Sequence, residues 1–145
     1  MRRIAFALSA IVLFGSAAIA DPIEDRQNFM KQNGRLLGAV FPVIKGEKPF
    51  DAGEVMAALQ AFNDHTQMLD VATMFPEGSG EGDTRASPRI WEDMAGFQAE
   101  VDEFKAAAAA AVASPPQDLA ALQAAFGAIG ASCDSCHEDY RLRRD

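Results

Sequence analysis

Apolar side chains recur every three or four residues along most of this chain, the period of a helix with one buried face. Breaks rich in Pro and Gly divide the part after Ala20 into four such stretches. The first runs from Pro22 to about Ile44. Asp21 precedes it as a candidate N-cap, and Pro22 takes the first helical position, where a missing N–H costs nothing. Ile23, Met30, Leu37 and Ile44 repeat at seven, joined by Gly34 and Phe41. Pro42 should kink the last turn or end it early. Lys45-Gly46-Glu47-Lys48-Pro49 then turns the chain. Asp51-Ala52-Gly53-Glu54 reads as a capping box opening a second helix to about Thr73, with Val55, Leu59, Phe62 and Leu69 inward.

A polar loop from Pro76 to Asp83 continues to Ser87-Pro88, which is expected to cap the third helix. Ile90, Met94, Phe97, Val101, Phe104 and Ala108 form its seam, and the alanine tract 106–111 is a strong helix former. Ser114-Pro115-Pro116-Gln117 breaks the chain, and its Ser-x-x-Gln pattern is expected to cap the fourth helix. Leu119, Leu122, Phe126, Ile129, Cys133, Cys136 and Tyr140 then step by three and four. Nothing alternates with period two. The expected fold is all-α, an antiparallel up-down-up-down four-helix bundle with two short connections and one long one.

The first twenty residues have a different character. Arg2 and Arg3, an apolar run from Ile4 to Phe14, and Ala18-Ile19-Ala20 together read as a secretory signal cleaved after Ala20. That run is too short to span a bilayer, and no later one is longer. The expected organisation is a signal peptide over 1–20 and one helical domain over 21–145, exported to the periplasm. Without the leader, 11 basic side chains face 21 acidic ones, a net charge of −10. That argues against nucleic acid or an anionic membrane as partner and suits encounters with a basic protein.

The chemistry is concentrated in Cys133-Asp134-Ser135-Cys136-His137, which holds both cysteines of the chain. C-x-x-C-H is the attachment signature of c-type haem. Cysteines at i and i+3 on a helix are neighbours about 5–6 Å apart at Cβ, able to add to two vinyl groups along one porphyrin edge. His137 emerges beside them as an axial iron ligand. Three other readings compete: a redox dithiol, which expects a βαβ setting; half of a zinc site, which needs four ligands; and a disulfide, awkward between i and i+3 of one helix. The sequence favours covalent haem, and places it within the bundle because the two cysteines fall on the seam of the last helix. Arg141, Arg143 and Arg144 suit the negative end of that helix.

For the opposite face of the iron, the candidates are Met30, Met94, Met56, Met68 and His65. Spacing alone makes each methionine core filler before ligand. His65, between Phe62 and Leu69, reads as a helix-edge residue, exposed or capped by a hydrogen bond. Met30 lies on a stripe with Gly34, Leu37 and Phe41, where Gly34 removes bulk that a flat macrocycle would meet.

The end motifs narrow these choices. Placed on the last of four helices, C-x-x-C-H resembles the cytochrome c-prime family, the class II c-type cytochromes. His137-Glu138-Asp139-Tyr140-Arg141 is similar to that family's H-x-x-[YF]-[RK] ending, and Arg26-Gln27-Asn28-Phe29-Met30 to its R-Q-x-x-M segment. Met30 to Arg35, and Lys45 to Asp51, look like the low-spin branch with a ligating methionine; Pro88-Arg89-Ile90-Trp91 fits the opening of the third helix. The resemblance implies one covalent haem c per chain, Cys133 and Cys136 as thioether tethers, His137 as proximal ligand and Met30 as distal ligand. It also implies Arg26 and Gln27 near the haem propionates. Dimers are common in that family, although no apolar stripe here is clearly surplus to the core. Two axial ligands leave no substrate site, so the expected role is a soluble electron carrier between periplasmic redox proteins, not an enzyme. The alternative is a five-coordinate cytochrome that binds nitric oxide or carbon monoxide.

Overall fold

The computed structural model describes residues 21–143, so the export signal expected over 1–20, and Arg144, lie outside the described residues. Four long helices carry the fold: α1 (Pro22–Gly38), α3 (Ala52–Gln67), α6 (Met94–Ala113) and α7 (Leu119–Tyr140). Between them lie single turns of helix: α2 (Phe41–Ile44), α4 (Val71–Met74) and α5 (Arg89–Glu92). The molecule is the four-helix bundle that the spacing predicted, and among the described residues no helix is long and apolar enough to cross a membrane.

Boundaries follow capping chemistry. Asp21 accepts hydrogen bonds from Ile23 N and Glu24 N, and Asp51 from Glu54 N, as expected for both helices. Other ends correct the expectation. Pro42 sits in the first turn of α2, and the first stretch divides around Ala39-Val40 instead of running to Ile44. The second helix stops at Gln67, because the Asp70 carboxylate takes the Thr73 N–H and starts α4. Ser87-Pro88 opens only the single turn α5, while α6 begins separately at Asp93, which accepts from Gly96 N at 3.0 Å. Met94 is therefore in the first turn and 36% exposed, off the seam it was expected to join. Asp118 caps α7 through Ala121 N at 2.8 Å, in place of the Ser114–Gln117 box, and Ser114 instead ends α6.

The core is continuous across the long helices. Phe62, Leu59, Ile90, Leu122 and Ile129 are its most enclosed large apolar side chains, with Phe29, Val55, Phe97, Val101 and Phe104 around them. Burying each such side chain stabilises the fold by roughly 1.5–3 kcal/mol. Close packing runs in order: α1 on α3, α3 on α6, α6 on α7. Between α1 and α7 there is no comparable packing. That side is bridged by α2, where Phe41 meets Phe126 edge-on at 5.0 Å and Gln123 Nε2 donates to Ile44 O at 3.1 Å.

The far end of α7 is anchored on the opening of α6. Tyr140 Oη donates to Asp93 Oδ2 at 3.1 Å, Arg89 pairs with Asp139 at 2.9 Å, and Ala86 and Arg141 form an antiparallel bridge. This clamp lies about one helical turn beyond Cys136-His137. Arg141 belongs to this extended segment, just past the last helical turn.

Candidate haem-binding site

Cys133, Cys136 and His137 all project from regular helix and are half-buried, while Asp134 and Ser135 between them are exposed. The core face of α7 is marked by Leu122, Ile129, Ser132 and Tyr140. The two thiols pack against the rim of that core instead of within it. Both are thus partly buried positions on the seam of the last helix, in contact with the core.

Local electrostatics keep the motif residues uncharged. Burial pushes the Cys133 thiol above its ordinary value, with Asp134 adding to the effect. Cys136 is pushed up to about 11, by burial first and then by Glu100, Cys133 and Asp139. Both are neutral thiols at neutral pH. Burial, then Arg141 and Arg85, hold His137 below the usual histidine value against the opposing pull of Asp134. His137 is thus a neutral imidazole with a free lone pair, the form that binds iron. Ser135 Oγ donates to Glu100 Oε1 at 3.0 Å and ties the motif to α6.

Between α1 and α7 the facing side chains are small or uncovered. Gly34 on α1 and Gly130 on α7 each have open space where a Cβ would stand. Met30 and Phe41 are each 42% exposed, although both are large and apolar. A pair of half-buried thiols, an adjacent imidazole, two uncrowded glycines and uncovered apolar side chains fit a tethered macrocycle. A closed metal site does not fit, since no cluster of three His, Cys, Asp or Glu able to hold a metal occurs among the described residues.

The other candidates are placed as follows. Met30 shares one face of α1 with Gly34 and Leu37, and it is exposed where its neighbour Phe29 is 4% exposed. His65 stacks on the Phe29 ring at 4.3 Å and its Nε2 lies 3.1 Å from Phe29 O, the hydrogen-bonded helix edge expected for it. His65, Met68 and Met74 line a groove of about 380 Å³ with Phe29 and Gln32, on a different face of α1 from Met30. Met56 is half-buried on α3.

Arg26 is nearly enclosed. Its Nη1 donates to Met74 O and Ser79 Oγ, and its Nη2 to Ser79 O at 2.8 Å, with Thr84 Oγ1 at 3.4 Å. Both terminal nitrogens are committed to the long loop after α4. Gln27 Nε2 donates to Asp83 O at 2.7 Å, a second tie to the same loop. None of these bonds was visible in the sequence, because the partners lie 48 to 58 positions away. Asn33, three residues after Met30, was not singled out in the sequence; it is buried with its Nδ2 3.8 Å from Met30 Sδ.

Comparison with known proteins agrees with this geometry. The sequence model of the family described as cytochrome C' matches residues 21–141. The chain is 36% identical to a cytochrome c-556 of Agrobacterium fabrum over 142 residues, covering 94% of this chain and 95% of that protein. It is 37% identical to a cytochrome c' of Rhodopseudomonas palustris over 147 residues, covering 98% and 97%. A solved structure named as cytochrome c' from Rhodobacter spheriodes superposes with a TM-score of 0.78 at 30% identity, over 85% of this chain and 96% of that one.

Proposed function

Because the chain belongs to the cytochrome c' family of haem c proteins, we propose that it carries single electrons through a haem held between His137 and Met30. Cys133 and Cys136 tether the macrocycle by thioether bonds. His137 supplies the proximal imidazole. Met30 supplies the distal thioether from the facing helix. When bound, the haem provides reversible one-electron chemistry between ferric and ferrous iron.

The observation that carries this reading is the exposure of Met30. A methionine used as core filler is buried, yet Met30 is 42% exposed while the core stripe beside it is closed. Its thioether stands on the α1 face that also carries the uncrowded Gly34. The competing side chains stand elsewhere: His65 is held against Phe29, Met68 borders the groove on another face, Met56 is half-buried on α3, and Met94 lies in the first turn of α6. Thioether ligation favours ferrous iron and raises the potential. Two axial protein ligands leave no open position for substrate, which supports a carrier and not an enzyme. Arg26 and Gln27 contribute by holding the 74–84 segment against α1.

The export signal read in residues 1–20 supports a periplasmic location, and the acidic balance supports basic redox proteins as partners. The test is Met30→Ala in the purified haem protein. The expected result is conversion of a low-spin spectrum to a high-spin one that responds to carbon monoxide. A low-spin spectrum unaltered by the substitution contradicts Met30 as ligand.

A further inference from the structure

Asn33 has one side-chain hydrogen bond, and it goes to sulfur. The residue is 8% exposed, and its Nδ2 lies 3.8 Å from Met30 Sδ. Its Oδ1 is buried and has no partner among the described residues. A buried carbonyl left dry is costly, and a leucine of similar size would avoid that cost. Turning the amide over would set Oδ1 against Sδ, acceptor against acceptor, so the contact to sulfur fixes which way the group points. The spacing is i, i+3 on one helix, which holds the two side chains together whatever the rest of the bundle does. Gly34 follows directly, so no side chain at that position competes for the space around Met30.

We propose that Asn33 is a positioning residue for Met30, donating an N–H to the thioether sulfur so that it fixes the methionine rotamer and draws electron density from the sulfur. The inference rests on Met30 as distal ligand. A thioether has two lone pairs, so the sulfur can accept from Asn33 with one and bind iron with the other. An N–H directed at sulfur makes it a poorer donor, which disfavours the ferric state and raises the potential. Groups outside the coordination sphere commonly tune a metal in this way.

The experiment uses the intact haem protein with Asn33→Leu and, in case the branched apolar side chain strains the fold, Asn33→Ala. Redox titration is expected to show the ferric form favoured by about three- to tenfold in both, since a neutral hydrogen bond has that order of effect. Tenfold corresponds to about 59 mV for one electron. The sulfur-to-iron charge-transfer band of the ferric protein is expected to shift or weaken while the spectrum stays low-spin. Thermal stability of Asn33→Leu is expected to hold or rise, because the dry carbonyl is gone. A low-spin wild type whose variants keep its potential and its charge-transfer band overturns this role and leaves Met30 as ligand. A high-spin wild type overturns both.

Discussion

Arg26 is 7% exposed, forms no salt bridge within the described residues, and lies 5.0 Å above the Phe75 ring. Burial lowers its pKa, partly offset by Asp21, yet an arginine remains charged at neutral pH. The charge is tolerated because its terminal N–H groups meet the carbonyls and hydroxyls of residues 74–84. Arg26→Leu leaves those carbonyls without donors, at about 1–3 kcal/mol. Urea unfolding should show that loss, and limited proteolysis should cut first within 76–86. The R-Q-x-x-M segment singled out Arg26 by resemblance, for a place near the haem propionates. Its loop partners lie beyond the reach of any local pattern.

At the scale of elements, the four long helices were legible because their cores follow one period, but their ends depend on single hydrogen bonds. Ser114 illustrates the difference. A Ser-x-x-Gln box needs the Gln side chain to reach back to the cap, but Gln117 Nε2 donates to Pro115 O at 2.9 Å; Asp118 takes Ala121 N instead. Asp118→Ala should therefore cost about 1 kcal/mol, and Ser114→Ala much less, in thermal or denaturant unfolding. Asp93 has a double role of the same kind: it caps α6 and also accepts from Tyr140 Oη. A Cβ at Gly96 would overlap both Asp93 and Tyr140. Gly96→Ala is expected to destabilise the clamp beyond His137, with a lowered unfolding midpoint as the readout.

In the whole molecule, the site is the side of the bundle that the helices leave least packed. Close packing passes from α1 through α3 and α6 to α7, and α2 alone bridges back. The motif Cys133–His137 was legible as haem chemistry from spacing alone. The partial burial of its two cysteines was not, because a seam pattern marks what turns inward and not how far neighbouring helices stand apart. Met30 shows the same limit: spacing placed it on an apolar stripe, and only the packing showed that it is left 42% exposed. The central claim is that His137 and Met30 together hold one iron. The optical spectrum of the purified ferric protein at neutral pH tests it most directly. A low-spin spectrum with a methionine-to-iron charge-transfer band is predicted; a high-spin spectrum without that band would contradict the account and favour a cytochrome that binds nitric oxide or carbon monoxide.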